Sequence, residues 1–100
     1  MKISPEVKAL RFDHLGHGMT AAAAWFPLDG SRHWVDFTAS KAGHGRRRST
    51  WIVTATMHRK SGPDRRAQVT LRNSYRYEAV QAALDALNGR PLASTKGNVD

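Results

Sequence analysis

The chain has 100 residues, a formal net charge of +8, no cysteine, and a 40% hydrophobic fraction that includes three Trp and three Phe. That length holds one compact domain and not two, and the missing cysteines exclude a disulfide framework and any thiolate metal site. The apolar content is enough to nucleate a thin core, which excludes wholesale disorder.

The elements follow in chain order. "SPEVKALRFDHLG" reads as a short helix with Ser4 as cap, Pro5 at the first helical position, Glu6 complementing the dipole and Gly16 as terminator. Val7, Leu10 and Leu15 would face inward. Residues 19–26, "MTAAAAWF", read as a strand despite four alanines, because the segment runs into Pro27 and an Asp29-Gly30 turn signal. "RHWVDFTAS" and "TWIVTATMH" alternate with period two, setting Val35, Phe37, Trp51 and Val53 on one face and Trp34, Asp36, Thr38, Ile52, Thr54, Thr56 and His58 on the other. "AQVTLRN" adds Val69 and Leu71 to the first face and Thr70 and Arg72 to the second. The period then changes to that of a helix, with Tyr77, Val80, Leu84 and Leu87 in one stripe, Ser74 as cap, and Asn88-Gly89 and Pro91 as the stop.

The sum is an α+β fold: a short N-terminal helix, an antiparallel meander of three to four strands, and a C-terminal amphipathic helix packed on one sheet face. Residues 1–18 form the helix and lead-in, 19–89 the single domain, and 90–100 a flexible tail. The second sheet face is left without a cover from this chain.

The charge is unevenly placed. Between Arg32 and Arg76 there are eleven basic residues and two acids, Asp36 and Asp64, a net +9, while the rest of the chain carries −1. A field so concentrated points to a polyanion, either nucleic acid or, with less to support it, an acidic membrane surface. Two loops hold much of it. "KAGHGRRRS" presents Lys41, His44, Arg46, Arg47 and Arg48, and "RKSGPDRR" presents Arg59, Lys60, Arg65 and Arg66. In an antiparallel meander they lie at opposite ends of the sheet and bracket its open face. Glycines 43 and 45 let the first loop approach a phosphate closely, and arginine offers bidentate donors. On the open face Trp34 is placed to stack on a base, with Thr54, Thr56 and Arg72 lining the path.

Other chemistries find less support. His14 and His17 are three apart beside Asp13, but Gly16 breaks the helix that would align them as ligands. His44 and His58 sit among cations, where phosphate contact suits them better than metal. "KAGHGRRRST" lacks the spacing of a phosphate-binding Walker loop, and no paired acid and base marks a nucleophile. No catalytic residue, metal or cofactor is therefore expected. No segment approaches the ~18 apolar residues of a membrane span, and "MKISPEVKALRFDHLG" lacks the apolar run of a signal peptide, so a cytoplasmic location is expected.

The order of four strands and a helix with a basic sheet is similar to that of sheet-based nucleic-acid binders, such as Pur-type repeats, single-strand-binding transcription coactivators and the arm-binding domains of phage integrases. The likeness lies in layout and charge and carries over no residue roles. Such units often dimerise to finish a thin core, which makes a homodimer an expected partner state. The leading expectation is a small non-enzymatic DNA- or RNA-binding protein. Its alternatives are an interaction or inhibitor module, for example phage-encoded, that docks its basic surface on an acidic protein, and a membrane-surface or acidic-ligand binder.

Overall fold

The computed structural model describes residues 2–28, 30–42, 48–89 and 96–99. The first helix, α1 (Pro5–Lys8), is one turn long; Ser4 Oγ accepts from the Val7 N–H at 3.4 Å, and only Val7 is buried. It does not continue to Gly16. Residues after Leu10 extend instead, and Asp13–Gly16 forms a strand, β1. The cause is the Gly-His-Gly run. Gly16, His17 and Gly18 all take left-handed conformations, with φ of 91°, 53° and 74°, which makes a tight hairpin turn and not a helix stop.

Four long strands follow: β2 (Met19–Leu28), β3 (Ser31–Ala42), β4 (Ser49–His58) and β5 (Arg65–Ser74). These are the strands the sequence periodicity marks, each somewhat longer than expected. Pro27 does not end β2. It pairs with Arg32 inside the ladder, at a level where β1, which reaches only to Ala21, leaves the far side of β2 open, so its missing N–H costs nothing there. The sheet order β1-β2-β3-β4-β5-β6 is an antiparallel meander. It exceeds the expected three to four strands because short strands are added at both edges, β1 and β6 (Lys96–Val99), each of four residues. Of the stretch expected as a flexible tail, residues 90–95 and 100 lie outside the described residues, and Lys96–Val99 pairs with β5.

The helix α2 (Arg76–Leu87) lies against β5 and β4 and reaches the margin of β3. Phe26, Val35, Phe37, Val53, Met57 and Val69 are almost fully buried on the inner sheet face, with Val80, Ala83, Leu84 and Leu87 from the helix. Each large side chain buried this way stabilises the fold by about 1.5–3 kcal/mol. Two details of the expected helix change. Ser74 ends β5, its hydroxyl donating to the Leu71 carbonyl at 3.1 Å, and Tyr75 takes the N-cap position, with its N–H bonded to the Glu78 carboxylate at 2.9 Å. Tyr77 leaves the buried stripe and is 47% exposed. Gln81 bridges α1 and α2, accepting from the Ser4 N–H at 2.9 Å and donating to Asp85 at 2.9 Å. Among the described residues no helix is long and apolar enough to cross a membrane.

Candidate nucleic-acid interface

Strand register builds the open face row by row. The β2–β3 ladder runs unbroken from Met19 opposite Ser40 to Leu28 opposite Ser31, so no bulge turns Trp34 inward. Trp34 is 38% exposed and sits directly across from Trp25, which is 50% exposed. Their rings meet edge to face at 5.5 Å between centroids and 69° between planes. Such pairs contribute about 0.5–1.5 kcal/mol beyond area burial, yet both rings keep exposed surface. Sequence periodicity finds Trp34; Trp25 is missed because only the cross-strand register shows which side of the alanine-rich strand it takes.

The middle of the face is hydroxylic. Thr54 Oγ1 accepts from Gln68 Nε2 at 3.2 Å, and Thr56 Oγ1 accepts from Arg66 Nε at 3.4 Å. These bonds aim Gln68 and Arg66 along the surface and leave each threonine half-buried. Arg72 is exposed on the same face, past the Ile52–Thr70 pair.

His58 corrects the expectation of a histidine among cations. It stands across from Trp34, with Nε2 bonded to Asp36 on β3 and Nδ1 3.0 Å from Asp64 Oδ2 in the β4–β5 connection. The hydrogen bond to Asp36 raises its pKa from the ordinary value of 6.5. The charges of Asp36 and Asp64 act in the same direction, and partial burial opposes them. With a carboxylate on each ring nitrogen, the group clamps the sheet to its turn. Asp64 also accepts from the Arg59 N–H at 3.4 Å, so the one acid of this basic connection shapes the turn.

The predicted cations fall into distinct places. Arg59 and Lys60 are exposed and share a recess of about 320 Å³ with Arg32, Ser31, His33 and Ser61, at the end of the sheet nearest the tryptophans. Arg32 is an addition: it comes from the opposite hairpin and only folding brings it there. Arg65 and Arg66 are not loop residues. Both belong to β5, and strand alternation puts Arg66 on the open face and Arg65 on the helix-covered side, across from Met57. Lys41 likewise lies on β3, half-buried, across from Trp51 on the inner side. At the far end Arg48 is exposed, with its guanidinium 5.3 Å from the Tyr75 ring centroid. His44, Arg46 and Arg47 lie outside the described residues.

That far end holds a second feature. A cleft of about 770 Å³ opens between α1, the start of β4 and the first turn of α2. Phe12, Trp51, Tyr75 and Tyr77 contribute rings to it, and Tyr75 and Tyr77 stack at 5.5 Å with planes 7° apart. The Arg76 guanidinium lies 4.1 Å from the Phe12 centroid and 6.0 Å from that of Trp51, and Nη1 donates to Thr20 Oγ1 at 3.3 Å. Burial pushes the Arg76 pKa down from its ordinary value, and the group stays charged at neutral pH. The Trp51 indole N–H is buried with no hydrogen-bond partner among the described residues.

No family model matches the chain, and no curated protein or solved structure matches it.

Proposed function

We propose that the chain binds single-stranded nucleic acid across its open sheet face, without acting on it chemically. The observation that carries this reading is the exposed Trp25–Trp34 pair, set between the Arg32/Arg59/Lys60 end and a Thr-, Gln- and Arg-lined path toward Arg48. Soluble proteins rarely leave two neighbouring tryptophans in water without a partner. Unpaired bases offer free faces to such rings, and the stack tolerates any base sequence. Arg66 and Arg72 supply donors along the way, and Arg48 holds the backbone at the far margin. The clamp of His58 with two carboxylates is net acidic, which leaves the phosphate contacts to the basic ends. The binding is therefore of the kind in which charge at the two ends sets the salt dependence, while stacking adds affinity and favours single strands.

The test is fluorescence anisotropy of a labelled ten-residue single-stranded oligonucleotide. Trp25→Ala and Trp34→Ala should each weaken binding by about 1–3 kcal/mol, and duplex of the same length should bind less tightly than the single strand. Unchanged affinity in both variants would contradict the reading. If the same variants convert a dimer to a monomer in sedimentation and leave oligonucleotide binding intact, the pair is a self-association surface instead.

A further inference from the structure

We propose that the cleft between α1, β4 and the start of α2 is a pocket for one nucleotide unit: a planar base between its aromatic walls, with the attached phosphate on the Arg76 side. The choice of ligand rests on the nucleic-acid reading above, but the cleft itself lies on the helix side of the sheet, away from Trp25 and Trp34. Its variants therefore test it separately.

Three observations select this chemistry. The first is size: about 770 Å³ falls within the range of small-molecule sites and holds a base, sugar and phosphate together. The second is the walls. Phe12, Trp51, Tyr75 and Tyr77 make the lining aromatic, and Tyr77, 47% exposed at the end of the Tyr75–Tyr77 stack, offers a ring on which a planar guest can continue it. The third is charge. Lys8 and Arg76 line the cleft, Arg48 lies over Tyr75 beside it, and among the described residues no Asp or Glu lines it. Among the described residues no carboxylate pairs with Arg76, and it spends one donor on Thr20. A guanidinium has five N–H donors in a fixed fork suited to phosphate.

The guanidiniums already lie over the Phe12 and Tyr75 rings, which leaves the remaining Arg76 N–H donors and the exposed Tyr77 ring for a guest. A guest that is both planar and anionic answers both. The position also fits a strand end. Arg48, with its guanidinium over the Tyr75 ring, stands beside the mouth of the cleft, so a backbone held by Arg48 passes it.

The experiment uses the full chain with AMP, GMP, CMP and UMP as free probes and a ten-residue single-stranded oligonucleotide as the polymer, read by calorimetry. Two variants carry it: Arg76→Met, which keeps the apolar stem, and Tyr77→Ala, at an exposed position where folding is least at risk; circular dichroism confirms that each is folded. The expected result is a loss of roughly ten-fold or more in affinity for a mononucleotide in both variants. If mononucleotides bind, the natural guest is a free nucleotide. If only the oligonucleotide binds and Tyr77→Ala weakens it, the guest is a unit of a strand. Oligonucleotide binding that Trp34→Ala weakens but Arg76→Met and Tyr77→Ala leave untouched overturns the cleft and keeps the sheet reading. Mononucleotide binding sensitive to Tyr77→Ala, without any effect of the sheet variants on the polymer, does the reverse. No binding of any probe overturns both.

Discussion

His58 is where a single side chain does most to join the parts of the open face. Its raised pKa means that the folded state holds the proton more tightly than the unfolded chain does. The stabilisation is therefore fully present below the unfolded value near 6.5 and is lost as pH climbs through the raised folded value. All three members are substantially exposed, at 41%, 48% and 46% of the side chain, so solvent screening holds the contribution to about 1 kcal/mol or less. The melting temperature should accordingly fall on going from pH 6 to pH 8 at fixed salt, and His58→Gln should flatten that decline; an equal decline in the variant would remove His58 as its cause. The sequence hid this clamp because Asp36, His58 and Asp64 are far apart in the chain and only the β3–β4 register and the following turn bring them together. Trp34 was legible by alternation alone. Trp25, Arg32 and Arg76 were not, since each gains its meaning from a neighbour on another element.

At the scale of elements, the four long strands and α2 were readable because their periods, two and 3.6, are written in consecutive residues. The first fifteen residues misled for a physical reason. A Ser-Pro-Glu start is a true helix signal, and it delivers one turn, but the Gly-His-Gly run has positive φ throughout and forces a hairpin that no helix can enter. That turn makes a sharp prediction. Gly18→Ala places a side chain at φ 74°, with its Cβ 3.4 Å from the Lys41 carbonyl, and should cost about 1–2 kcal/mol in denaturant unfolding. A neutral result would mean that the turn is not built as described. Within the core, Leu87 is 1% exposed under the sheet, and Leu87→Ala should cost about 2–5 kcal/mol by the same measurement. Tyr77 leaves its expected place in the helix stripe and is 47% exposed. It stacks on Tyr75 and becomes cleft wall instead of core.

For the whole molecule, the meander turns a fact about sequence, eleven basic residues in the middle of the chain, into a fact about space. Successive connections alternate between the two ends of the sheet, so Arg32, Arg59 and Lys60 gather at one and Arg48 stands at the other. A ten-residue strand spans about 33 Å, which sets the distance a bound backbone crosses between them. The separation of charge from the stacking surface should show in binding: the ends control salt dependence and the tryptophans control affinity at constant salt. The most direct test is the salt dependence of single-stranded oligonucleotide binding for the parent chain, for Arg32→Ala/Arg59→Ala/Lys60→Ala, and for Arg46→Ala/Arg47→Ala/Arg48→Ala. If both ends hold phosphates, each triple variant should flatten the slope of log affinity against log salt by roughly two units. A parent slope near zero, or a slope that neither variant changes, would contradict a backbone held at both margins of the sheet.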